Sequence, residues 1–177
     1  MGQFMNKVLK ISRISILLIV FNAVSALPVD RKPVSYPLGF SHGMSQEAAL
    51  SILKGLDSDI IHKSNRAIHA HYGKLYYGVK VSEIDLRFAD DKLNGVTLKT
   101  EGVESDEGNS ERLTKFADAI KATYNVYEKP NDSSVDSTAD IKTRFVSRYR
   151  DGGYEILIYS YYLNGKYYLT LNFEKFS

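Results

Sequence analysis

The chain has 177 residues, 44% hydrophobic and 25% charged, with a net charge of +2 and no cysteine. This length suits one domain with a real hydrophobic core. The missing cysteines exclude disulfide staples, thiol catalysis and cysteine-ligated zinc, and the small net charge supplies no global basic field for binding nucleic acid.

Lys7, Lys10 and Arg13 precede an apolar run from Ile14 to Phe21, and Ala23-Val-Ser-Ala26 follows it. A basic segment, a short apolar segment and an A-x-A-like end make the pattern of a secretory signal peptide over residues 1–26. The run is shorter than the ~20 residues of a membrane span. The expected product is exported, periplasmic or secreted, and begins at Leu27 with no membrane span. With no cysteine at the cut it carries no lipoprotein anchor. Cleavage removes three cations and no acid, which turns +2 into −1.

Residues 27–40, with Pro28, Pro33 and Pro37, read as an extended leader, and residues 41–177 as a single α+β domain. Ser45 is the expected N-cap of a first helix, with Glu47 in its first turn and Ala48, Ala49, Ile52, Leu53 and Leu56 at helical spacing up to Gly55. Ile68, Ala70 and Tyr72 alternate with His69 and His71 as in a strand. Ile84, Leu86 and Phe88 alternate with Glu83, Asp85 and Arg87, out of phase with Val79 and Val81, which predicts a bulge near Ser82. A turn at Ala89–Lys92 leads into a returning strand from Leu93 to Lys99, and 100–109 reads as a loop. Asn109 or Ser110 then caps a second helix with the stripe Leu113, Phe116, Ala117, Ile120, Tyr124. After a polar loop from Lys129 to Asp140 come three strands, Ile141–Arg150, Gly153–Leu163 and Lys166–Phe173, joined by Asp151-Gly152 and Asn164-Gly165 turns. The expected fold class is α+β: an antiparallel sheet with two helices packed on one face. The order fits either a degenerate tandem α-β-β-β repeat or convergent layering.

Two-residue turns set a register. Across Asn164-Gly165, Tyr161 faces Tyr168 and Tyr159 faces Thr170 on an outer face. Ile156, Ile158 and Tyr162 share the core face with Tyr167, Leu169, Leu171 and Phe173. Across Asp151-Gly152 the same rule sets Arg148 opposite Glu155, Arg144 opposite Tyr159 and Lys142 opposite Tyr161, with Phe145 and Tyr149 inward. The candidate binding surface is therefore a lattice of Lys142, Arg144, Arg148, Tyr159, Tyr161 and Tyr168, suited to a partner bound by stacking and charge. The competing reading is an ordinary solvated sheet face.

The stretch Gly43-Met-Ser-Gln-Glu-Ala-Ala-Leu-Ser-Ile-Leu53, with the later turn Phe88-Ala-Asp-Asp-Lys-Leu93, resembles the helix opening of small exported α+β proteins. Outer-membrane assembly lipoproteins of the SmpA type and β-lactamase-inhibitor-like modules show it. The resemblance implies a non-enzymatic partner-binding protein. It carries over no functional residue, and this chain lacks the lipidated cysteine of the assembly lipoproteins.

His69 and His71, spaced H-x-H on one side of a strand, are weak candidates for a metal site, with no third ligand fixed by spacing. Asp90-Asp-Lys-Leu-Asn-Gly95 lacks the alternating ligands of a calcium loop and reads as a turn. Gly39-Phe-Ser-His-Gly43 has the spacing of a nucleophile elbow but reads as a loop, and Ser51-Ile-Leu-Lys54 has S-x-x-K spacing within the first helix. No serine is paired with a histidine by a recognisable spacing, and no phosphate-cradling glycine loop occurs. The expectation is a non-catalytic binding protein without cofactor. Its partner is a protein in the envelope or outside the cell and not nucleic acid, as for an inhibitor of an exported enzyme or an immunity protein. The alternatives are an envelope assembly or maintenance factor, and a small metal-binding protein or hydrolase using His69 and His71.

Overall fold

In a computed structural model, residues 33–124, 126–129, 135–138 and 141–176 are described, the segments 127–129, 135–138 and 141–146 by their backbone only. The expected signal peptide, and the leader up to residue 32, lie outside the described residues.

The first helix, α1 (Gln46–Gly55), starts where capping chemistry places it: the Ser45 hydroxyl accepts from the Ala48 amide at 3.3 Å, and Glu47 sits in the first turn. Four antiparallel strands follow, β1 (Asp59–Lys63), β2 (Ala67–Tyr76), β3 (Val79–Ala89) and β4 (Lys92–Thr100). The short strand β1 was not foreseen, because all five of its residues are exposed and it shows no apolar alternation. The bulge expected near Ser82 is present between Val81 and Glu83, with the Ser82 hydroxyl donating to the Lys99 carbonyl at 3.2 Å.

The second helix, α2 (Asp106–Thr123), begins earlier than expected. Ser105, rather than Asn109 or Ser110, is the cap, because its hydroxyl accepts from the Gly108 amide and Asp106 and Glu107 follow in the first turn. Asn109 lies inside the helix and is buried.

Two strands, β5 (Tyr127–Lys129) and β6 (Val135–Thr138), both pair with β7 (Ile141–Asp151). Part of the expected 129–140 loop is thus strand. Then come β8 (Tyr154–Leu163) and β9 (Lys166–Lys175). The Asn164-Gly165 turn forms as expected, with φ of 50° and 78° and Leu163 opposite Lys166.

The other hairpin is a correction. Its turn residues are Gly152 and Gly153, at φ 53° and 87°, with Asp151 opposite Tyr154. Two glycines accept the positive φ of this turn without a Cβ penalty. Asp151 instead uses its carboxylate to accept from the Val34 amide at 3.1 Å.

The sheet, nine-stranded among the described residues, runs β1-β2-β3-β4-β9-β8-β7-β5, with β6 also on β7. The pairing of β4 with β9 fuses the two meanders into one surface. One face is apolar. Ile68, Leu86, Val96, Phe173, Ile156 and Tyr149 form one cross-strand row, and Ala70, Ile84, Leu98, Leu171 and Ile158 form the next. All these residues are fully buried, together with Ala49 and Leu53 of α1 and Phe116 and Ile120 of α2. Both helices therefore pack on this face, and the α+β architecture expected from the sequence is the one observed. Val34, Tyr36 and Phe40 of the expected leader are buried in the same core.

Candidate functional site

The opposite face of the sheet is polar, and three cross-strand rows build it. The central row runs His69, Asp85, Thr97, Asn172, Leu157, Arg148 from β2 to β7. On one side lies Arg87, Gly95, Glu174, Glu155, Arg150, and on the other Glu83, Lys99, Thr170, Tyr159. Strand alternation sets these residues on one face because the residues facing the core occupy the other phase.

Each cation here meets a carboxylate. Lys99 Nζ lies 2.6 Å from Asp85 Oδ2 and 3.6 Å from Glu83. Asp85 also accepts from His69 Nδ1, and His69 Nε2 lies 3.7 Å from Glu83. Two carboxylates on β3 thus hold a lysine from β4 and a histidine from β2. Desolvation opposes the Lys99 charge, but the Asp85 hydrogen bond and the charges of Asp85 and Glu83 outweigh it and raise its pKa.

Arg87 reaches across β4 to β9, where its Nη2 donates to Glu174 and, at 2.9 Å, to Asn172. Asn172 Oδ1 also accepts from Thr97 at 3.0 Å, and its Nδ2 donates to Glu174 at 2.6 Å. Gly95 makes this crossing possible. A Cβ there would lie 2.6 Å from Arg87 Nη2 and 2.9 Å from its Nε. Partial burial of Glu174 pushes its pKa up, but the bonds from Arg87 and Asn172 win and hold it below the usual carboxylate value. At the β7 end, buried Glu155 takes Arg150 Nε at 2.5 Å and Arg148 Nε at 3.2 Å.

Between these groups lies a shallow depression of about 370 Å³, lined among others by His69, Asp85, Arg87, Thr97, Tyr159 and Asn172. Beyond it Tyr161 stacks on Tyr168, and burial raises the pKa of both Tyr159 and Tyr161.

Of the six expected binding residues, Arg148, Tyr159, Tyr161 and Tyr168 occupy outer-face positions, with Tyr161 opposite Tyr168 and Tyr159 opposite Thr170. Lys142 and Arg144 do not share their register. The Gly152-Gly153 turn and a bulge between Phe145 and Ser147 set Arg144 opposite Ser160 and Lys142 opposite Tyr162, both in the core-face phase, and Phe145 opposite Tyr159. The expected Arg148–Glu155 cross-strand pair is a diagonal one, since Arg148 pairs with Leu157. The side chains of Lys142, Arg144 and Phe145 lie outside the described residues.

His69 and His71 share the outer face, as alternation requires, but part there: His69 joins the Asp85–Glu83–Lys99 network, while His71 stands opposite Asp59 and Glu83. Among the described residues no three His, Asp or Glu side chains converge as a metal site. Nor does any helix there have the length and apolarity to cross a membrane.

The sequence pattern sets Glu83, Asp85 and Arg87 on the polar side of one strand and gives them, Gly95, Lys99, Asn172 and Glu174 no binding role. Alternation marked their faces. The β4–β9 pairing that unites them joins residues 95–99 to 170–174 and has no local signal. No family model, no curated protein and no solved structure matches this chain.

Proposed function

We propose that the chain is an exported, non-catalytic protein that binds another protein through the sheet face opposite its helices. The observation that carries this reading is the joined array across β2, β3, β4, β9, β8 and β7, polar, aromatic and unoccupied by either helix, with a depression at its centre. Arg and Tyr are the residue types that dominate binding energy at protein interfaces; here Arg87 is bonded across the strands to Asn172 and Glu174, and Tyr161 is stacked on Tyr168. Because its charges are paired within the face, the surface suits a protein partner of mixed polarity better than a polyanion. The resemblance of the Gly43–Leu53 opening to inhibitor-like modules favours an inhibitor of an exported enzyme, or an immunity protein. An envelope assembly factor would use the same face.

The test is capture of a partner from the exported fraction, followed by hydrogen exchange on the reconstituted complex. Protection of β3, β4, β8 and β9 is expected, with loss of capture by Tyr159→Ala/Tyr161→Ala. Undiminished capture by the folded double variant refutes the assignment. The identity of the partner, enzyme or assembly protein, separates the two binding roles.

One observation favours a second reading. The His69–Asp85 bond beside an open depression is a pair used in acid–base catalysis. Hydrolysis of model esters or peptides that disappears in His69→Ala, and not in His71→Ala, would establish it.

A further inference from the structure

The geometry points to the Arg87 end of the depression as the seat for an aromatic side chain presented by the protein partner. This rests on the proposed binding role of the face and names the chemistry of its anchor. Arg87 spans from β3 over β4 to β9, the space above β4 being open because residue 95 has no side chain. Its Nη2 is committed to Asn172 and Glu174, and Glu174 balances its charge. Because Glu174 already balances the charge, a partner carboxylate gains less here than at an unpaired arginine. Nearly half of the Arg87 side chain, 49%, nevertheless remains exposed. A guanidinium bonded at its edge and still open to solvent presents a planar, weakly hydrated surface, and such surfaces stack on aromatic rings. Tyr159 and His69 line the same hollow, and its 370 Å³ admits one large ring.

The test uses a neutral aromatic probe, N-acetyl-L-tryptophanamide, titrated into the isotope-labelled full chain and followed by NMR. Saturable shifts are expected at the Arg87 Nε–H and at the amides of Gly95, Thr97 and Asn172, with N-acetyl-L-leucinamide giving no saturable response. Gly95→Ala keeps the arginine and its charge but puts a Cβ 2.6 Å from Nη2, so the guanidinium must move. Gly95 has no positive φ, so the backbone accepts alanine. This variant and Arg87→Lys, which keeps the charge without the plane, are each expected to weaken the probe about tenfold. Absence of saturable shifts, equal response to the leucine amide, or undiminished binding by folded Gly95→Ala would each overturn the inference. Partner capture reports separately. If capture depends on Tyr159 and Tyr161 while the probe fails, only the aromatic seat is wrong. If the probe binds but the double variant still captures the partner, the larger reading fails.

Discussion

Tyr161 and Tyr168 stack across β8 and β9 with ring centroids 5.0 Å apart and planes 8° from parallel, and Gly102 makes the room for it. A Cβ at Gly102 would lie 2.7 Å from Tyr168 Cζ and 2.9 Å from Lys166 Cβ. The tyrosine tip can swing, but the Lys166 Cβ is tied to its strand. Gly102→Ala is expected to cost about 1–3 kcal/mol, the usual range for overpacking. Gly55, at the end of α1, has nothing within 4 Å of its Cβ position. Gly55→Ala should therefore stabilise by about 0.4–1 kcal/mol. Urea unfolding of the two variants checks the opposite signs.

Asn109 and Ser160 tie α2 to the sheet. Asn109 Nδ2 donates to the Ser160 hydroxyl at 2.7 Å, and its Oδ1 accepts from Arg112 Nη2 at 3.1 Å. Asn109 is 4% exposed and Ser160 9%, so removing one partner strands the other away from water. Asn109→Ala should cost about 1–3 kcal/mol. In the double variant with Ser160→Ala the cost should fall below the sum by about 0.5 kcal/mol or more. A double-mutant cycle in urea reads the coupling; strict additivity would show that the bond contributes nothing.

The alkaline limb of stability should be steep. Burial pushes the phenols of Tyr36 and Tyr124 up to about 12. Between pH 10 and 12 the unfolded chain ionises these groups while the folded chain keeps the protons. The stability they contribute is complete below pH 10 and lost as pH rises through the folded value. Urea midpoints measured from pH 8 to 11, with tyrosinate absorbance, should fall above pH 10, and less so in Tyr124→Phe.

On the acid side Glu174 acts with the opposite sign. Its pKa lies below the usual value because the Arg87 and Asn172 bonds outweigh desolvation. Its contribution is present above the ordinary carboxylate range and disappears as pH falls through the folded value. Glu174→Gln should flatten the decline in stability between about pH 5 and pH 3 relative to the unsubstituted chain. An unchanged slope would mean the Arg87–Glu174 pair is too solvated to matter.

Much of this fold is legible in single segments. Ser45 and Glu47 announce α1, the Phe116–Ile120 stripe announces α2, and the alternation from Ile84 to Phe88 sorts β3 into a buried and a polar side. Asn164-Gly165 dictates a hairpin register, and the structure has that register. Asp151-Gly152 carries the same local signal and misleads. Gly153 offers a second positive-φ position one residue later, and Asp151 is drawn to the Val34 amide, which lies far away in the chain. The bulge between Phe145 and Ser147 then moves Lys142 and Arg144 into the other phase. Side-chain phase has a period of two, so every single-residue slip exchanges the faces.

The candidate site divides in the same way. From the sequence alone, period-two alternation already determined that Tyr159, Tyr161, Tyr168 and Arg148 stand on one side of their strands and Glu83, Asp85 and Arg87 on one side of theirs. Only the tertiary structure decided that these are a single surface, because β9 pairs with β4 as well as with β8. That pairing brings Asn172 and Glu174 to Arg87 and closes the charges of the face on one another. Contact between residues so far apart is set by packing both meanders against one helical layer, and no local spacing encodes it.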